Sequence, residues 1–265
     1  EMFGDTPNLD SFSANDTPDM SNVTEMRFTF YNSAYNGPSV NNLDVSNVET
    51  MRGMFYSAEQ FNQSLASWDT SNVESMELMF WGAYDFNGNV TTWDTSNVKT
   101  IGSMFEFADK FNQPIGSWDT SNVTDMSSVF DGAVAFNQDV SSWDTSNVTD
   151  MGLMFNDAES FNQDVSSWDT SNVTDMASMF SQATSFNQDI SSWDTSQVEN
   201  MKSMFYEASS YDQPLNAWNT SNVETMEFMF WRANNFNQPL DNWDTSNVRN
   251  MEAMFRGTSE ANPHS

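Results

Sequence analysis

Aspartate returns every 25 residues, at Asp44, Asp69, Asp94, Asp119, Asp144, Asp169 and Asp194, and resumes at Asp244 after Asn219 takes one turn of the column. If these residues line one face of stacked repeats, neighbouring carboxylates lie about 5 Å apart, close to the strand spacing. Each pair then costs about 1 kcal/mol in water and more where solvent is excluded. Cations would relieve that repulsion, and calcium suits carboxylates flanked by Ser and Thr hydroxyls. Asp69, Asp94, Asp119, Asp144 and Asp169 are therefore the candidate cation column. The glycine loops of dedicated calcium repeats are missing from the sequence. The same aspartates equally suit a turn ladder in which each carboxylate accepts from nearby backbone N–H or Ser/Thr groups.

Asparagine offers a second chemistry, attachment of sugar. Asn22, Asn122, Asn147 and Asn172 each open Asn-Val-Thr, and further acceptor sequences begin at Asn15, Asn62, Asn89 and Asn219. The Asn of Asn-Val also reads as a helix cap, with Asp175 three residues after Asn172 completing a capping pair. It persists at Asn72 and Asn97, where the sugar signal is lost. In a secretory pathway that uses such signals, glycosylation is expected at Asn62 and Asn89 rather than at Asn147 and Asn172.

Other sites are poor. Methionine pairs such as Met151/Met154 and Met226/Met229 sit beside Phe at helical spacing and read as core, not as copper or haem ligands. His264, the single histidine, is second from the end, so a His-based triad or zinc site cannot be assembled. There is no cysteine, which excludes disulfides and thiolate metal sites. Two carboxylates could in principle hydrolyse a glycoside, yet no acidic pair stands apart from the repeats. Catalysis is not expected, nor any cofactor besides calcium.

The elements that carry these columns repeat with the same period. Trp68, Trp93, Trp118, Trp143, Trp168, Trp193, Trp218 and Trp243 are spaced by 25, the valine column runs from Val23 to Val248, and a phenylalanine column follows it from Phe30 to Phe255. Apolar residues Val173, Met176, Met179, Phe180 and Ala183 make the stripe of a short amphipathic helix. Around Phe161-Asn-Gln and Trp168-Asp169-Thr170 the β-branched and aromatic residues suggest a short strand with Trp168 and Thr170 inward. The expected fold is an α/β repeat, a right-handed leucine-rich-repeat-like solenoid with one short strand and one short helix per repeat. Residues 1–19 form an irregular start, 20–256 about ten repeats, and 257–265 a tail. At roughly 4.8 Å per layer the rod would be about 50 Å long.

Eight Lys and Arg stand against 38 Asp and Glu, a formal charge of −30, which disfavours nucleic acid and anionic membranes. No apolar run is long enough to span a bilayer.

The run from Phe136-Asn-Gln-Asp through Trp143-Asp-Thr-Ser-Asn-Val to Met154-Phe155 resembles the repeats of BspA-type leucine-rich-repeat-like surface proteins, in particular the 25-residue repeat of bacterial and mycoplasma surface lipoproteins. The resemblance spans about residues 20–256 and implies an extracellular or cell-surface location with non-enzymatic binding or adhesion. The apolar ends, Met2 and Phe3 at one side and Met254 and Phe255 at the other, lack a polar cap. The expected function is therefore a structural surface protein that associates with itself head to tail into fibres. The alternative is an adhesin fragment whose Asp/Ser-lined face binds a glycan, a cation or a host protein.

Overall fold

The computed structural model describes residues 18–258. The chain winds into layers of 25 residues stacked in strict register. Among the described residues, nine isolated parallel bridges link the same position of successive layers, from Glu25↔Thr50 through Asp125↔Asp150 to Thr225↔Asn250. Each bridge is one residue wide. The only helical element among the described residues is a single 3-10 turn, Pro38–Asn42. The α/β solenoid with a strand and a helix in every repeat is therefore overturned: among the described residues there is no α-helix, and no strand extends beyond an isolated bridge.

The physical reason lies in where the backbone N–H groups go. In the segment expected to be helical, Met176, Ser178, Phe180 and Gln182 donate to the carbonyls of Asn200, Lys202, Met204 and Tyr206 in the next layer at 2.6–3.0 Å. The alternate residues Met179, Ser181 and Ala183 donate instead three residues back, to Met176, Ser178 and Phe180. The segment is thus a chain of linked turns with half of its donors aimed at the neighbouring layer. An α-helix would keep all of those donors within itself. Ser178 and Gln182 hold φ of 56° and 57° at the third position of their turns, the left-handed value that type II turns require there. A chain of such turns returns to the same side every three to four residues, so it reproduces the apolar spacing of a helix.

The columns assigned inward do face inward. Val123, Met126, Phe130, Ala133, Phe136, Val140 and Trp143 are each no more than 3% exposed. Within a layer Phe80 lies 3.8 Å from Phe86 between ring centroids, and Phe80 stacks on Phe105 of the next layer at 5.6 Å. The tryptophans of the column from Trp68 to Trp243 form a parallel pile, with Trp93 to Trp118 at 6.1 Å, and each of their indole N–H groups is satisfied by a backbone carbonyl of the preceding layer, as Trp168 is by Val140 at 3.0 Å. Thr170 turns inward and its hydroxyl donates to the Asp194 carbonyl of the next layer at 2.9 Å. The inward threonine hydroxyls and indole N–H groups of these columns are thereby paired, which burial demands.

Candidate functional site

The aspartate column lies exposed along the stack. In Asp44, Asp69, Asp94, Asp119 and Asp144, Oδ1 accepts both the backbone N–H and the hydroxyl of the serine two residues on, at 3.0–3.1 and 2.6–2.7 Å. Asp169 accepts the Ser171 N–H at 3.0 Å. These contacts make each aspartate the first residue of an Asx turn. The serine hydroxyl and then the serine N–H hold Asp94, Asp119 and Asp169 below the ordinary carboxylate range. Among the described residues no three acidic or histidine side chains converge on one metal position.

The asparagines of Asn-Val do not cap helices, because no helix follows them. Their Nδ2 donates to a serine carbonyl one layer back: Asn122 to Ser96, Asn147 to Ser121 and Asn172 to Ser146, at 2.7–2.8 Å. The capping assignment is corrected to an interlayer amide ladder. Its persistence at Asn72 and Asn97, without the sugar signal, has the same cause: they donate to Ser46 and Ser71.

Asn62 and Asn89, the two residues singled out for glycosylation, lie elsewhere. Asn62 is exposed and belongs to a row in which each side-chain oxygen accepts the backbone N–H of the row's next member, here Asn87 at 2.8 Å. Asn89 is half-buried, and its Oδ1 accepts the Thr91 N–H and hydroxyl at 2.9 and 2.8 Å. Met2 and Phe3, together with His264, lie outside the described residues. Met254 is buried at 4% and Phe255 is half-buried against the core. The paired methionines Met151/Met154 and Met226/Met229 are fully buried in that core.

Two acidic features escaped the sequence reading. Asp125, Asp150 and Asp175 occupy the bridge position itself in three successive layers. Burial, and then the charges of Asp175 and Asp125, raise the Asp150 carboxyl. Asp131 is 7% exposed and is pushed from 3.8 up to about 6, chiefly by burial, although the Asn156 amide donates to it at 2.7 Å. Reading every column down the repeat, and not only the unbroken ones, would have found both. Their columns are mixed: the one through Asp131 also holds Tyr31, Tyr56, Trp81, Glu106, Tyr206 and Trp231. Its aromatic members stack on the surface, Tyr56 on Trp81 at 4.3 Å and Tyr206 on Trp231 at 4.5 Å, with the Arg232 guanidinium 4.1 Å from the Trp231 ring. Basic residues likewise bridge layers, as Lys99 does to Glu74 and Arg249 to Glu224.

The surface thus combines rows that repeat one polar contact, such as the aspartate and asparagine rows, with columns of mixed residues. A family model described as "Mycoplasma protein of unknown function, DUF285" matches residues 1–117, 85–180 and 162–265. No curated protein matches the chain. Among the described residues no helix is long and apolar enough to cross a membrane.

Proposed function

The chain belongs to that Mycoplasma repeat family, and on this premise we propose that it is a non-catalytic structural protein of the cell surface or extracellular space that associates head to tail into fibres. One observation carries the reading. Successive layers meet through the same bridge position and largely the same donors and ring columns, so the face of one layer resembles the face of the others. A layer with no described layer after it shows what such a joint would bury: Met251 is 44% exposed, whereas the methionines in its column from Met126 to Met226 are fully buried. Trp243, Val248 and Phe255 beside it are only partly buried. A second copy laid on this layer would cover them and extend the ring stacks. The contact is heterologous and does not close, so it propagates. Met254 and Phe255 would stand on one side of the joint; Met2 and Phe3, expected from the sequence on the other, lie outside the described residues.

A net charge of −30 opposes the contact at long range. Association should therefore strengthen as salt screens that repulsion. Sedimentation and electron microscopy of the full chain are expected to show salt-promoted linear oligomers, and Phe255→Asp is expected to stop their growth. A monodisperse monomer at high salt and high concentration refutes the fibre. In that case the second reading, an adhesin that holds a glycan, a cation or a host protein on its Asp/Ser-lined face, takes its place. It is favoured by the exposed aspartate row, whose serine contacts keep Asp94, Asp119 and Asp169 charged into mild acid. A monomer whose melting temperature rises with calcium would identify the cation form of that reading.

A further inference from the structure

The linked turns leave one side of the stack outward. Between the inward columns of Met26 and Phe30, the columns that begin at Arg27, Phe28 and Tyr31 are exposed or half-buried in most described layers. Phe28 meets Tyr31 and Tyr56 edge-on at 6.2 and 6.1 Å, so neighbouring columns share one surface.

The charges on that surface follow a pattern that the 25-residue period does not require. In the first column Arg27, Arg52 and Glu77 occupy three successive layers and Lys202, Glu227 and Glu252 another three, with four small residues between them. Reversing this column end for end inverts the sign at every charged place, which makes it complementary to its own reverse. Arg52 and Glu77 pair across their layers at 3.1 Å, and Lys202 and Glu227 at 2.8 Å, so each flank presents a plus beside a minus.

We infer that this surface pairs laterally with the same surface of a second copy, antiparallel, about a two-fold axis crossing the stack between the layers of Asp131 and Asn156. Such an axis sets each column opposite itself in reverse order, and the contact is isologous. Arg27 then faces Glu252, Arg52 faces Glu227 and Glu77 faces Lys202, each twice by symmetry. A slip of one layer would bring Arg52 against Lys202 or Glu77 against Glu227, so the charges also fix the register. The other two columns agree with this register. In the second, large meets small: Phe228 lies opposite Gly53, and Leu153, which is 39% exposed, lies opposite Ser128. In the third, the half-buried stack of Tyr56 on Trp81 lies opposite that of Trp231 and Tyr206, which puts aromatic surface on aromatic surface. At the axis Asp131 meets the Asn156 amide of the other copy.

This lateral contact is separate from the head-to-tail reading, and either can fail alone. Sedimentation of the full chain, as wild type and as Phe255→Asp to stop end-to-end growth, is expected to show a dimer. Arg52→Glu with Glu77→Arg keeps the ion pair within the chain but turns it round, and Lys202→Glu with Glu227→Lys does the same at the other flank. Each swapped protein alone is expected to melt as wild type does and to associate on the order of 100-fold more weakly, because like charges now face one another. Mixed in equal amounts, the two swapped proteins are expected to pair with each other, since every facing charge is again opposite. Should a swapped protein not fold, Leu153→Arg, at an exposed position, is expected to abolish the dimer. A monomeric chain at high concentration, swapped proteins that self-pair as wild type does, a mixture that stays monomeric, or a dimer that survives Leu153→Arg overturns the inference.

Discussion

Asp131 is a carboxyl held against burial: it is 7% exposed, bonded by one amide, with Glu106 and Asp157 adding like charge. Its pKa in the fold, about 6, stands above the ordinary 3.8, so between those values the folded chain binds more protons than the unfolded one. Stability at this residue is consequently fully present below about pH 4, falls as pH rises towards 6, and stays low above it. Asp131→Asn keeps an acceptor for Asn156 and removes the charge. Relative to wild type, the variant is expected to be more stable by on the order of 2–3 kcal/mol at neutral pH, with the difference vanishing near pH 4. Denaturant melts of both proteins across that range measure it, and a pH-independent difference would contradict the assignment. Tyr211 poses the converse problem, a buried hydroxyl with no partner where neighbouring layers carry Phe186 and Phe236.

The linked turns set the rules at the next scale up. Two left-handed columns run down the stack, one through Ser128, Leu153 and Ser178, the other through Phe107, Gly132, Asp157 and Gln182. Side chains are tolerated at most of these positions, so positive φ alone does not demand glycine. Gly132 is required for a different reason: its Cβ would lie 2.4 Å from the Phe107 ring of the preceding layer. Gly132→Ala is expected to cost about 2–3 kcal/mol, falling to about 1 kcal/mol in a Phe107→Ala background, where only the backbone term is left. A double-mutant cycle by denaturant unfolding checks this, and additive costs would exclude the ring contact. The inward columns were legible in the sequence because Val and Phe recur without a break and Met and Trp give way mainly to other apolar residues such as Ile101, Val129 and Leu43. The local conformation was not, since Val173, Met176, Phe180 and Ala183 satisfy a helix and a chain of turns equally well, and the deciding factor is the destination of the N–H groups. The Asn-Val cap failed with the helix. The aspartate row was legible as a column and as one side of a two-way choice between cation site and turn ladder, whereas Asp131 was hidden in a column of mixed residues.

For the molecule as a whole, stability accumulates between adjacent layers only, since nearly every interlayer contact spans one repeat. Phe130 touches Phe136 in its own layer at 3.8 Å and Phe105 and Phe155 in the layers on either side, at 5.9 and 5.6 Å. Phe130→Ala is expected to cost about 3–5 kcal/mol and to split the unfolding transition, because it weakens the coupling of the layers before it to those after it. Phe255→Ala, at a half-buried position of the outermost described layer, is expected to cost less and leave one transition. Calorimetry distinguishes the two, and equal effects would refute nearest-neighbour coupling. The strict register also bears on how the molecule can be resized. Removing residues 151–175 would join Asp150 to Met176, a bond between the same residue types as Asp150–Met151, and would set two layers together whose faces already match. Length in this architecture is therefore quantised: it can change by whole layers without a new interface having to be invented, as a measuring rod is cut only at its marks.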